Sequence, residues 1–276
     1  MQILLTGSSG FIGRVLHTAL VAAGHHVTPI ARREGVDMNQ LLTPDAWLPY
    51  LTNVDVVINS VGIITETKAQ TFANLHTRAP IALFQAAQQT GVKRIIQISA
   101  LGADVQAFSA YHLSKKAADD VLRTLDLDWF ILRPSLVYGA GGNSATLFKR
   151  LASLPLIPLL DQGQQRIQPV HISDVVATVM QALHTVPAKR TLDVVGAYPL
   201  TLKQWLQQLR QAMGKAPAVY VPVPYSLIKG VAKLLHPLLP LLHPNNLQML
   251  QAGNTADVKP LAEFLGRLPL SVEQMA

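Results

Sequence analysis

The stretch QILLT, residues 2–6, is a short apolar run, and FIGRVLHTALVAAG after the next turn carries apolar residues at helical spacing up to Gly24, a natural stop. The pattern predicts a strand, a turn and a helix. HHVTPIA, residues 25–31, reads as a second strand, with an end or bulge at Pro29 because proline has no N–H to give a ladder. VDVVINSVG (54–62), VKRIIQISA (92–100) and LDWFILRP (127–134) repeat the buried-strand pattern. Between them, TFANLHTRAPIALFQAAQQTG (71–91) predicts a long helix in spite of Pro80, and 109–125 predicts another. Continuous apolar strands alternating with helices indicate a parallel sheet covered on both faces. The expected fold class is therefore α/β, a doubly wound parallel sheet.

After residue 140 the alternation loosens, then returns in PVHISDVVATVMQAL (169–183) and TLDVVG (191–196). Residues 197–276 hold nine prolines and read as short helices and loops. This divides the chain into a doubly wound domain, 1–140 plus 165–198, and a small C-terminal lobe, 141–164 plus 199–276. No internal repeats or low-complexity segments interrupt either.

At 276 residues and 49% hydrophobic content the chain can bury a full core. It has no cysteine, which excludes disulfides, thiolate metal sites and cysteine nucleophiles and fits a reducing cytosol. The beginning, MQILLTG, has no basic region followed by a long apolar one, and no uncharged apolar run reaches the roughly 18 residues of a membrane span. A cytoplasmic location is expected. The net charge of +7 points to anionic partners: a phosphorylated cofactor, nucleic acid or an acidic lipid surface. No aromatic residues interleave with a basic run, so nucleic acid is not expected.

TGSSGFIG, residues 6–13, narrows the choice. In a strand-turn-helix context Gly7 permits the tight turn, Gly10 lets backbone N–H groups approach a pyrophosphate, and Gly13 lets helix pack on strand. About 20 positions later an acidic residue usually binds the ribose 2′-hydroxyl. Here that place is held by Arg32, followed by Arg33. Guanidinium groups bind a 2′-phosphate that a carboxylate would repel, so NADP(H) is the expected cofactor.

SAYHLSKKAADDVL places Tyr111 and Lys115 four residues apart, on one face of a helix. An ammonium near a phenol lowers its pKa, which suits a general acid/base, and Ser99 at the end of the preceding strand is placed to bond a substrate carbonyl. His171 and Asp174 invite a catalytic reading, but Ser173 or Asp174 is more simply a helix N-cap. His25 and His26 lack a carboxylate at ligand spacing and read as surface residues, Trp129 reads as core, and no metal site is expected.

TGSSGFIG, INSVG (58–62), ISALGA (98–103), YHLSK (111–115), LRPSLVYG (132–139) and PVHISDV (169–175) stand in the order found in extended and atypical short-chain dehydrogenases/reductases. The chain most resembles the atypical branch that contains the nucleotide-binding accessory subunit of respiratory complex I and its bacterial relatives, through to LQMLQAGNTADVKPLAEFLG (247–266). The resemblance implies a Rossmann fold. It implies that Gly7, Ser9, Gly10, Phe11 and Ile12, with Gly13 behind them, line the pyrophosphate, and that Arg32 and Arg33 meet the 2′-phosphate. Val61 and Gly62 would adjoin the adenosine and its ribose, Lys115 the nicotinamide ribose, and Pro134, Ser135 and Leu136 the nicotinamide, with Tyr111 as proton donor. One departure concerns Ser99, which precedes Tyr111 by 12 residues, about half the separation that the resemblance leads one to expect.

Three functions stay open. The first is an NADP(H)-dependent oxidoreductase acting on a carbonyl or quinone-like small molecule. The second is a catalytically silent NADPH-binding protein, structural or redox-sensing, that stabilises a partner, and the third a nucleotide-sugar epimerase or dehydratase. The segment PVPYSLIKGVAKLLHPLLPLLHPNNLQML (222–250) is dense in Leu, Val and Ile but broken by Pro237 and Pro240. It reads either as short helices packed on the lobe or as an apolar face that docks, with Lys229 and Lys233, on the cytoplasmic face of a membrane or on a hydrophobic protein.

Overall fold

The computed structural model describes residues 1–224 and 244–271, without the side chains of 143–145, 161 and 244. The elements in chain order are β1 (Gln2–Thr6), α1 (Phe11–Ala22), β2 (His26–Ile30), α2 (Pro44–Trp47), β3 (Val56–Asn59), α3 (Ala79–Gln89), β4 (Arg94–Ile98), α4 (Ala110–Thr124) and β5 (Asp128–Pro134). There follow β6 (Val137–Tyr138), α5 (Asn143–Ser153), β7 (Leu156–Leu160), β8 (Arg166–Ile167), β9 (Val170–His171), α6 (Ile172–Ala182) and β10 (Arg190–Val194). The chain continues through β11 (Leu200–Thr201), α7 (Leu202–Ala212), β12 (Val219–Val223), α8 (Pro244–Ala252) and α9 (Lys259–Leu265).

Contacts divide the chain into two compact units, Met1–Pro134 with Val175–Val194, and Ser135–Asp174 with Val195–Ala276. Residues 135–140, 165–174 and 195–198, which the sequence pattern grouped with the sheet, thus fall in the second unit. The first unit is a six-stranded, wholly parallel sheet in the order β10-β5-β4-β3-β1-β2. Strand order reverses between β1 and β3, and ligands of open parallel sheets bind at the carboxyl ends of strands where this happens. Trp47, Phe84, Ile95, Leu122 and Ile131 belong to the apolar core of this unit.

Pro29 neither ends nor bulges its strand: β2 runs through it, in register with Leu5 of β1. The reason is position. In a parallel ladder the N–H and C=O of one residue face the same side, and the sides alternate. The carbonyl of Ile30 faces β1, where it accepts from Gly7 N. Pro29 therefore faces the open edge, where no partner needs its missing N–H. The long helix expected over 71–91 is borne out: the backbone stays helical from a π-helical turn over Ala73–Arg78 straight into α3, and Pro80, which has no N–H to give, follows directly on that wider turn. α6 begins at Ile172, so Ser173 and Asp174 lie inside its first turn and neither is its N-cap.

In the second unit β7 pairs with β12 and β6 with β9, both parallel, while β8 and β11 are antiparallel. Tyr138, Ile157, Trp205 and Leu206 form its core. The fully buried Asp174 holds the C-terminal stretch, accepting from Arg267 Nη2 at 2.7 Å and Leu270 N at 2.8 Å. Most of the apolar segment 222–250, namely 225–243, lies outside the described residues. Among the described residues no helix is long and apolar enough to cross a membrane.

Candidate functional site

β1 ends at Thr6, and the chain turns at Gly7, whose φ of 70° lies in the left-handed region that glycine tolerates. Gly10 N closes the turn on Gly7 O at 2.9 Å, and Gly10 is the N-cap of α1. Gly13 lies hard against this turn: a Cβ there would stand 2.1 Å from Gly7 O and 2.8 Å from Ser60 Oγ. The helix start is close to the strand because both residues lack side chains. α1 has no side-chain cap and no acidic residue in its first turn. The amides of Phe11, Ile12 and Gly13 have no carbonyl within the helix to bond, and with the helix dipole they are suited to an anion.

This turn opens on a groove lined by Gly7, Ser9 and Gly10 together with Ser60, Val61, Gly62 and Ile63. Arg32 lines it as well. Arg33 follows in the same exposed 3-10 turn, Arg32–Glu34, but is not part of the wall. Neither arginine has an ion pair among the described residues. Sequence reasoning missed Ile30, Val36, Asp37, Met38 and Leu75, which also line the groove. Asp37 is tethered, accepting from Asn39 N and Asn39 Nδ2 at 3.0 Å each. The four apolar residues offer a slot for a flat ring.

Lys115 of α4 is buried, and its Nζ donates to Val61 O at 2.8 Å and Ile98 O at 3.0 Å. The ammonium lies behind the groove wall, 3.4 Å from where a Cβ on Gly62 would sit. Burial lowers its pKa to about 8, opposed by the charge of Asp119 one turn along the helix. Tyr111 lies one turn the other way. Its pKa is not lowered as the ammonium led one to expect: burial, then Asp119, pushes it up to about 12. The Tyr111 ring meets those of Phe72, His76 and His112 edge to face, with centroids 5.9, 5.4 and 5.4 Å apart.

Ser99 is buried at the end of β4 and donates its hydroxyl to Asp119 Oδ2, so it faces α4 and not a substrate. Asp119 is fully buried, and desolvation raises its pKa to about 6. A buried polar chain crosses the sheet beside it: Thr6 Oγ1 donates to Asn59 Oδ1 at 2.5 Å and Asn59 Nδ2 to Gln97 Oε1 at 2.7 Å. The Gln97 amide also faces Asp119 and, with Ser99, favours its charged form against the burial. Asp119 was detectable, since residues 111, 115 and 119 fall on one helical stripe.

Of the residues expected at a nicotinamide, Pro134 ends β5 and accepts from Leu101 N at 2.9 Å. Ser135 and Leu136 belong to the second unit, where Ser135 Oγ donates to Gln168 O at 2.6 Å and Leu136 N to Asn254 Oδ1 at 3.2 Å. His171 Nδ1 and Ser173 Oγ lie 2.7 Å apart in that unit. Among the described residues no group of three His, Asp or Glu could hold a metal ion.

A glycine turn at the switch point of a doubly wound sheet, with a lysine behind the groove, defines a dinucleotide-binding protein of the short-chain dehydrogenase/reductase type. The chain belongs to the NAD dependent epimerase/dehydratase family, whose sequence model matches residues 3–195. It is 29% identical over 195 residues to a ceramide reductase of Caulobacter vibrioides, covering 66% of this chain and 61% of that one. It is 27% identical over 249 residues to the NADH dehydrogenase [ubiquinone] 1 alpha subcomplex subunit 9 of Arabidopsis thaliana mitochondria, covering 82% and 61%. The chain thus spans less than two thirds of either relative's length. Among solved structures, MoeE5 in complex with UDP-glucuronic acid and NAD shares the fold, with a TM-score of 0.73 at 21% identity over 98% of this chain and 94% of that one.

Proposed function

We propose that this protein is an NADP(H)-dependent oxidoreductase in which Tyr111 gives a proton to the oxygen of a carbonyl or quinone-like substrate. The observation that carries the reading is Lys115, buried behind Val61 and Gly62 of the groove wall and one helical turn from Tyr111. The groove fits the cofactor. The close approach of Gly13 to Gly7 and the uncapped start of α1 suit a pyrophosphate, and Arg32 at the wall suits a 2′-phosphate. Gly7, Ser9, Gly10, Phe11 and Ile12 would hold the former, Arg32 and Arg33 the latter, and Val61 and Gly62 the adenosine side. A nicotinamide bound there would supply the hydride for two-electron reduction of the substrate's C=O group.

The protein's part is to place and move a proton. With its pKa near 12, Tyr111 carries its proton at neutral pH and is available as a donor when charge develops on a substrate oxygen. Lys115, with a pKa near 8, is largely charged at pH 7 and favours the phenolate that remains. The test is oxidation of NADPH across carbonyls, quinones and nucleotide sugars, with Tyr111→Phe as control. Turnover that survives this substitution excludes the mechanism.

A second reading, a protein that holds the cofactor without turnover, is favoured by one observation. The Ser99 hydroxyl is bonded to Asp119, which removes it as a second donor to a substrate oxygen. Tight NADPH binding with no oxidation by any member of the panel would select it.

A further inference from the structure

His76 is fully buried in the π-helical turn Ala73–Arg78, a kind of distortion that recurs at functional sites. Its ring stacks on Phe72 at 5.0 Å between centroids and stands edge to face with Tyr111. Both ring nitrogens are engaged. Nε2 lies 3.0 Å from Ile63 N, and a backbone amide can only donate, so Nε2 accepts. The ring proton is thereby fixed on Nδ1, 3.0 Å from Ser114 Oγ, and Ser114 Oγ donates onward to Tyr111 O at 2.7 Å. Thr77 Oγ1 adds a parallel tie to Ser114 O at 3.0 Å. Ile63 is part of the groove wall, and a Cβ on Gly62 would lie 4.0 Å from His76 Nε2 and 3.4 Å from Lys115 Nζ.

One side chain therefore grips the wall of the groove with one nitrogen and the helix bearing Tyr111 and Lys115 with the other. We infer that His76 is a positioning residue for dinucleotide binding, acting through its Nε2 acceptor, which holds the 61–63 wall at the place Lys115 also supports. The inference rests on the reading that this groove and α4 hold the cofactor. A charged imidazole would turn a donor toward Ile63 N–H and lose the grip; burial and the nearby Lys115 both oppose that charge.

The two nitrogens are separable by substitution. The amide of Gln reaches about as far as Nε2 and that of Asn about as far as Nδ1, so His76→Gln keeps an acceptor for Ile63 while His76→Asn keeps only the tie to Ser114. The readout is the NADPH dissociation constant by fluorescence titration, with melting temperature measured without cofactor. His76→Gln is expected to bind within about threefold of the parent, and His76→Asn about tenfold more weakly, the usual scale for an orphaned buried N–H. Equal affinities for the two variants, or losses that simply follow the melting temperature, would overturn the inference. Lys115→Met separates the two levels. If it binds NADPH like the parent, the cofactor reading fails and takes the inference with it; if it binds weakly while His76→Asn binds normally, the inference alone fails.

Discussion

The Ser99 hydroxyl and the Asp119 carboxylate face each other in the interior, one at the end of β4 and the other in the third turn of α4. This bond removes Ser99 from the substrate side and gives Asp119 a donor where water does not reach. Ser99→Ala is therefore expected to act on stability, costing about 1–3 kcal/mol for a buried acceptor left bare. Its turnover should fall less than tenfold, whereas Tyr111→Phe abolishes it. Urea unfolding and steady-state kinetics on the two variants check this. A kinetic loss for Ser99→Ala matching that of Tyr111→Phe would restore Ser99 to the reacting centre.

Asp119 also makes stability depend on pH. Its folded pKa, about 6, lies above the ordinary aspartate value of 3.8, so the folded state holds a proton that the unfolded state has released between these values. Stability from this group is present at low pH and lost as pH rises from about 4 through about 6, by an amount on the order of 1–3 kcal/mol. Lys115 runs the other way at higher pH: its pKa is lowered from 10.5 to about 8, so folding gains stability as pH rises between these values. Asp119→Asn keeps an acceptor for Ser99 and removes the first effect. Unfolding of parent and variant at pH 4.5 and pH 7 should show the variant gaining relative to the parent at the higher pH.

Arg32 and Arg33 should not contribute equally. Arg32 lines the groove and Arg33 does not, so Arg32→Ala is expected to weaken NADPH binding by at least tenfold, in the range of one charge-assisted bond, and to leave NADH nearly unchanged. Arg33→Ala should have the smaller effect. Titration of both cofactors against both variants measures the discrimination directly, and equal affinities of the parent for NADPH and NADH would defeat the assignment.

Gly13→Ala places a methyl group 2.1 Å from Gly7 O, which backbone cannot yield without moving the turn. The expected cost is about 1–3 kcal/mol or more, together with loss of dinucleotide binding. Gly24→Ala is the control for helix-proximal glycine in general: its Cβ would meet nothing within 4 Å, so its cost comes only from a φ of 81°. Thermal unfolding with and without NADPH distinguishes them, since only the position 13 variant should lose the cofactor-induced rise in melting temperature.

The parallel sheet, the glycine turn and the Tyr111–Lys115 face were legible because each is written locally, in strand-length apolar runs or in four-residue spacing. The remainder arises from tertiary placement. Asp119 and Asp120 are neighbours of one type, yet Asp120 pairs at the surface with Lys116 and Arg123 while Asp119 is fully buried. His76 is hidden differently: the π-helical turn shifts its phase, so helical periodicity cannot say which way it points. Asp37 and Met38 reach the groove through the short turns after β2, which carry no period to read. The reversed expectation for Tyr111 has the same root, because burial and the Asp119 carboxylate both raise its pKa and four-residue spacing reveals neither.

Pro29, facing outward from β2, has a meaning beyond its own strand. The open side of a border strand is a template on which a second chain can continue the sheet by hydrogen bonding. A pyrrolidine ring in the middle of that border takes away one donor and puts carbon in its place, so an incoming strand meets a gap and a steric obstacle where it needs a bond. The residue that looked like a fault in the strand is a guard against its extension, and keeps this margin of the sheet from recruiting copies of itself.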